Sequence, residues 1–116
     1  MTSEAEAVLD ASALIALLWE EPGAEAVAPL LGRAVISTVN MSEVLQRYLA
    51  VGVNPDGKLE DIAALGIKIE SFGREHAEIA ASLWKPTRTA GLSLADRACI
   101  ALARQTGLAA HTADSA

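Results

Sequence analysis

The stretch from Gly91 to Asp114, GLSLADRACIALARQTGLAAHTAD, constrains the fold more than any other part of the chain. Ser93 reads as an N-cap, Leu94 to Thr106 as a helix, Gly107 as its left-handed stop and Leu108 to His111 as a strand. On a helical wheel Asp96 falls among Cys99, Ile100 and Ala103, and the rest of the circumference is apolar apart from Arg97, Arg104 and Gln105. Such a helix is mostly buried. An ionised aspartate on its apolar arc is costly unless something pairs with it. Two readings of Asp96 stand side by side. It has capping-box spacing from Ser93, which would satisfy backbone donors at the helix start, or it belongs to a site that supplies a partner. Asp114 is open in the same way, as the cap of a following element or as a site carboxylate at a strand end.

The rest of the chain alternates strands and helices. Ala5 to Leu9 is an apolar run ending at Asp10, and Ala13 to Leu18 continues as an apolar helix, so the pattern is strand, sharp turn, helix. Asp10 then stands at the carboxyl end of a first strand, the edge of an open α/β sheet where ligands sit. Its other reading is the cap of the helix that follows, with Ser12 bonding locally. Glu20-Glu21-Pro22-Gly23 breaks that helix; Ala24 to Leu31 forms a second, which Pro29 should kink or shorten. Ala34 to Ser37 is a second strand. Thr38 or Asn40 starts a helix running to Leu49, with Met41, Val44, Leu45, Tyr48 and Leu49 as its apolar stripe. Glu43 points away from that stripe and shares a face with Asn40 and Arg47, an arrangement that a solvated surface would also produce. Leu59 to Leu65 reads as a short helix, Ile67 to Ser71 as a third strand and Arg74 to Trp84 as a helix with Ile79, Ala80, Leu83 and Trp84 inward and His76 at the surface. Thr87 to Gly91 is a loop that holds Arg88 close to the next helix. The alternation predicts one domain over residues 1–116, with a parallel sheet covered on both faces.

Composition removes several function classes. Nine Lys and Arg stand against fifteen Asp and Glu, a formal net charge of −6, so overall charge cannot grip nucleic acid phosphates. Aromatics are only 3% of the chain, which argues against stacking platforms for bases. The single cysteine, Cys99, excludes an intrachain disulfide and a multi-thiol metal site. His76 and His111 lack the companions of a nucleophilic triad. The N-terminus carries acids where a signal peptide needs basic residues, and no apolar run reaches the about 20 residues that cross a bilayer. The expectation is a cytoplasmic protein.

The acids have a common address in this scheme. Asp10 and Asp114 follow strands, while Glu43 and Asp96 lie in the first turns of helices that start from the same sheet edge. Two carboxylates about 4 Å apart repel by about 4 kcal/mol at an effective dielectric of 20. A hard divalent cation removes that penalty: magnesium takes a few carboxylates plus waters and leaves room for phosphate oxygens. One or two such ions would activate water and stabilise the leaving oxygen in phosphodiester hydrolysis.

The ordered set VLDASAL (residues 8–14), STVNMSEVL (37–45), GLSLADRACIALA (91–103) and HTAD (111–114) resembles a PIN domain, specifically a VapC-type toxin ribonuclease of a type II toxin–antitoxin pair. The resemblance covers nearly the whole chain. It implies a three-layer α/β/α fold and a magnesium-dependent endoribonuclease, manganese being able to substitute, with Asp10, Glu43, Asp96 and Asp114 as the acidic metal and catalytic set. Ser12 matches the small hydroxyl residue after the first aspartate and Thr112 the hydroxyl residue before the last; Asn40 supports the same site. It implies a strand order of 3-2-1-4-5. The sequence ends two residues after Asp114, so the expected sheet is 3-2-1-4 without the fifth edge strand, with strand four as an exposed edge. An aspartyl-phosphate phosphatase is discounted, because Ser12 stands where that class needs a second aspartate.

The resemblance also implies a cognate antitoxin, an RNA substrate and a homodimer. Arg47, Arg88 and Arg97 are the candidates for positioning RNA; Arg97 has a rival role, pairing with a neighbouring acid inside the fold. An exposed apolar patch is expected around Trp19 and the helix from Ala24 to Leu31, suited to a partner. The competing function is a truncated, catalytically impaired domain that only binds its antitoxin or dimerises.

Overall fold

A computed structural model describes residues 5–113. Its four strands, β1 (Ala7–Leu9), β2 (Ala34–Ser37), β3 (Ile67–Glu70) and β4 (Ala109–His111), form one sheet in the order β3-β2-β1-β4, and every pairing is parallel. The expected 3-2-1-4 order is therefore observed. Strand β1 lies between β2 and β4, with Leu9 opposite both Ile36 and His111, so β1 and β4 end level and β2 runs one residue further, to Ser37. That common carboxyl edge is where the helices α1 (Ala11–Leu18) and α3 (Thr38–Ala50) begin.

Period-two alternation sends successive strand residues to opposite faces. Leu9, Ala34, Ile36 and Ile67 join Ala13 and Leu14 of α1, Val27, and Met41 and Val44 of α3 in one core. Ile62, from the short helix α4 (Lys58–Ala64), completes it. Val8 and Val35 face the other way and pack on Cys99, Leu102 and Ala103 of α7 (Leu94–Thr106), with α5 (Arg74–Ser82) lying against α7. This is the expected three-layer arrangement. Helix α7 is buried along Ala95, Ala98, Cys99, Ala101, Leu102 and Ala103, and it ends on Gly107 in a left-handed conformation, as its sequence indicates.

Several boundaries differ from the sequence reading. The second helix is split at Pro29 into α2 (Ala24–Val27) and a 3-10 turn (Ala28–Leu30), since proline cannot donate the bond that would continue it. Helix α3 is capped by Ser37, whose hydroxyl accepts from Val39 N–H at 3.2 Å, so Glu43 falls in the second turn rather than the first. Leu49, expected on the apolar stripe, is 61% exposed. The helix from Arg74 stops at Ser82, and Trp84 starts a separate turn, α6 (Trp84–Thr87), where it is 50% exposed rather than inward. Pro86 explains the break: it has no N–H for the Ser82 carbonyl, and its ring crowds that oxygen. The large exposed apolar side chains are not those of α1 and α2. Leu17, Leu18, Leu30 and Leu31 pack against the core, while Leu49, Val51, Val53 and Leu59 are exposed where α3 passes into α4.

His76 is the clearest correction. It is buried, not at the surface. Its Nδ1 accepts from Gly73 N–H at 3.2 Å, capping α5, which leaves the proton on Nε2 to donate to Gln105 Oε1 at 2.7 Å. Gly66 marks a second close fit, at a φ of +90°; a Cβ there would sit 2.7 Å from the Gly32 backbone, whose N–H donates to the Gly66 carbonyl.

Candidate acidic site

Asp10 follows β1 directly and caps α1. Its Oδ1 accepts from Ala13 N–H at 2.9 Å and from the Ser12 hydroxyl at 2.7 Å. Asp96 occupies the third position of α7 in a capping box: its Oδ2 accepts from Ser93 N–H at 2.9 Å while Ser93 Oγ accepts from Asp96 N–H at 3.1 Å. The capping readings of both residues are thus correct as far as one oxygen of each goes. Neither Asp10 Oδ2 nor Asp96 Oδ1 takes part in those bonds. A carboxylate held by a helix start through one oxygen presents the other in a fixed direction.

Both residues border shared space. Asp10, Asp96, Glu43 and Asn40 line a single cavity of about 780 Å³ at the carboxyl edge of the sheet, together with Ser12, Glu21, Gln46, Arg47 and Ala113. A smaller cavity of about 290 Å³ adjoins the same two aspartates and is walled by Leu92, Cys99, Ile100 and His111. The field of the pair registers on Cys99, whose thiol is pushed up to about 12, first by burial and then by the charges of Asp10 and Asp96. Both carboxylates therefore act on one point between α7 and β1.

Ser12 joins the start of the site to its far end. Its hydroxyl, with its proton on Asp10, accepts from Ala113 N–H at 2.9 Å and lies 3.0 Å from Thr112 Oγ1; Asp10 N–H donates to the His111 carbonyl at 3.1 Å. The exit of β4 is thereby tied to the first turn of α1. Asp114, the fourth carboxylate expected from the sequence, lies outside the described residues.

The three arginines separate. Arg47 lines the larger cavity, bonded to Glu21 at 2.8 Å with its guanidinium 5.0 Å from the centroid of the Trp19 ring, which in turn packs on Tyr48. Arg88 lies over Trp84 at 5.2 Å, outside both cavity walls. Arg97 turns toward α5 and donates from Nη1 to the Ala80 carbonyl at 2.9 Å, a role inside the fold, although with a carbonyl rather than an acid. Glu21 and Gln46 line the cavity without having been singled out in the sequence. Gln46 sits three residues after Glu43, a helical-face signal; Glu21 is an acid in a helix-breaking turn, and nothing local marks it.

The side chains lining the larger cavity suit a hard divalent cation in type: carboxylate oxygens with a neighbouring amide carbonyl and no thiol or imidazole among them. Among the described residues no three His, Cys, Asp or Glu side chains stand close enough to form a ready-made cluster. Magnesium does not require one, since it retains several waters and uses one or two carboxylates directly. Asp10 and Asp96 would hold it, and Glu43 lines the same cavity.

The sequence profile of the PIN domain matches residues 7–116, and the chain belongs to the PIN-domain family. No functionally curated protein matches it. Among solved structures it is similar to the sarcin–ricin-loop-cleaving toxin VapC20 of Mycobacterium tuberculosis, at 17% identity and a TM-score of 0.75 over 95% of this chain and 91% of that one. A toxin–antitoxin complex from Klebsiella pneumoniae matches at 20% identity and a TM-score of 0.71, covering 90% of this chain and 83% of the other. FitAcB from Neisseria gonorrhoeae matches at 23% identity and a TM-score of 0.70, with 93% and 87% covered. At these identities the likeness is one of fold.

Proposed function

We propose that this chain is the toxin of a type II toxin–antitoxin module and cuts RNA phosphodiester bonds in a reaction that depends on magnesium or manganese. The observation that carries this reading is the meeting of Asp10, Glu43 and Asp96 on one cavity at the carboxyl edge of a PIN-family sheet. A cation bound there supplies charge neutralisation and Lewis-acid activation. The chain's own residues do the rest. Asp10 and Asp96, each anchored through one oxygen, hold the other in place; Ser12 keeps the β4 exit at Thr112 and Ala113 against Asp10. Arg47 is the basic residue on a wall that also carries Asp10, Glu21, Glu43 and Asp96; it is paired with Glu21, and its guanidinium is suited to exchange that partner for a phosphate of the substrate strand.

An antitoxin whose arginine reached the same carboxylates would compete with the cation. Its apolar segment would find Leu49, Val51, Val53 and Leu59 exposed nearby along the chain. A homodimer and a cytoplasmic location complete the proposal; no helix among the described residues is long and apolar enough to cross a membrane. The second reading is a non-catalytic module that binds antitoxin only, and it draws on the lack of a ready-made cluster among the described residues. Incubating the purified protein with structured RNA separates the two. Cleavage that needs magnesium, stops with chelator and is lost in Asp96→Asn supports the nuclease; intact RNA with a folded, antitoxin-binding protein supports the module.

A further inference from the structure

Asn40 is the buried polar residue that capping and packing leave unexplained. It is 1% exposed, sits at the third position of α3 one turn before Glu43, and lines the acidic cavity. Its Nδ2 donates to the carbonyl of Ala95 at 3.1 Å, a buried bond that spans 55 residues of sequence. Ala95 immediately precedes Asp96. The bond therefore joins the helix that carries Glu43 to the helix that carries Asp96, at the level of the two acids. Its direction also fixes the amide: with Nδ2 on Ala95, Oδ1 is the buried atom left over, and among the described residues it has no hydrogen-bond partner. A buried acceptor without a donor is uncommon and costly. A leucine in its place would fill the space without that cost, so packing alone does not account for an amide here.

We propose that Asn40 is a positioning residue of the acidic site, setting the placement of Asp96 relative to Glu43 through the Ala95 carbonyl and keeping its Oδ1 for a donor that arrives with the hydrated cation. This rests on the metal-dependent reading of the cavity. The mechanism is that of outer-shell groups in metal sites generally. They touch the ligands' backbone or the bound waters rather than the ion, and their loss lowers metal affinity by about 10–100-fold. Charge does not enter the argument, and that makes the claim separable from simple attraction. Replacing the amide by a carboxylate adds a negative charge to the cavity, which would favour a cation, yet it removes the donor to Ala95 and sets oxygen against oxygen.

The test is calorimetric titration of the full chain with manganese, alongside thermal melts of the metal-free proteins. The proteins compared are wild type, Asn40→Ala, Asn40→Asp, Asn40→Ser and a control, Ile62→Val, which loosens the same core without lining the cavity. The expected result is a loss of manganese affinity of about 10-fold or more in Asn40→Ala and Asn40→Asp, a smaller loss in Asn40→Ser and wild-type affinity in Ile62→Val. Wild-type affinity in whichever of the Ala and Ser variants is folded overturns the inference, as does tighter binding by Asn40→Asp. An equal loss in Ile62→Val also overturns it, because the effect would then be one of general stability. If the wild type itself takes up no manganese, the metal reading of the cavity falls and the inference falls with it; binding by wild type with unchanged variants removes the inference alone.

Discussion

Under the proposed function Asp10 does two jobs, cap and cation ligand, and a pair of substitutions separates them. Its Oδ1 accepts from Ala13 N–H and the Ser12 hydroxyl, while its charge faces the cavity shared with Glu43 and Asp96. Asp10→Ala removes the cap, which costs about 1 kcal/mol, up to about 2. Ser12 retains Ala113 and Thr112, so the hydroxyl is not left unpaired. In a domain of this size the melting temperature should fall by about 4–8 °C. Asp10→Asn keeps an oxygen for both bonds and removes one of the repelling charges, so its metal-free melting temperature should equal or exceed that of wild type. Magnesium at about 100 times its dissociation constant should add about 2.7 kcal/mol to the wild type and raise its melting temperature by roughly 10 °C. Neither variant should show that rise. Scanning calorimetry with and without magnesium reads all of this. If Asp10→Asn melts as low as Asp10→Ala, the carboxylate is a cap whose charge is needed for folding and the repulsion argument is wrong. If Asp10→Asn keeps the full magnesium response, Asp10 is not part of the site.

Three further outcomes are expected. Cys99 is held protonated in the fold up to about 12, so stability is intact below the ordinary thiol value of 9.0 and is lost as pH rises from there toward 12, at up to about 1.4 kcal/mol per pH unit; urea melts should show the advantage of wild type over Cys99→Ala shrinking above pH 9, and a constant difference would refute it. His76→Ala should cost about 1–3 kcal/mol in the same assay, because it strips Gly73 N–H and Gln105 of their partner inside the fold. Arg47→Ala loses a half-exposed ion pair with Glu21 and the contact with the Trp19 ring, so stability should fall by about 1–2 kcal/mol, whereas RNA affinity should drop across all sequences, with the slope of log affinity against log salt falling by about 0.7–1; unchanged affinity and slope in filter binding would assign Arg47 to the fold alone.

What the sequence made legible was whatever is written locally. Strand runs, the Ser93 cap, the Gly107 stop and the effect of Pro29 are each decided within a few residues, and all are seen. The order 3-2-1-4 came from the resemblance, and the sheet bears it out. For Asp96 and Asp10 local pattern offers a choice between cap and site; the capping bonds are present, and because a carboxylate has two oxygens they leave the proposed site role open to the second. The misplacements share a different cause. His76 finds its acceptor on Gln105, 29 residues away on another helix, and no periodicity within α5 encodes that. Helical spacing extended past Leu83 puts Trp84 inward, but the helix ends at Ser82, four residues before Pro86. Arg97 lies next in sequence to Asp96, yet a helix turns successive side chains by about 100°, and its guanidinium meets Ala80 on α5 instead.

The proposed function requires Asp10 and Asp96 to hold a divalent cation in the larger cavity. Crystals of the protein soaked in manganese, with anomalous diffraction recorded near the manganese absorption edge, test it without recourse to activity. The expected result is an anomalous peak within coordination distance of the two carboxylates, absent from crystals of Asp96→Asn treated in the same way. No peak in that cavity at millimolar manganese, or one that persists unchanged in the variant, would contradict it.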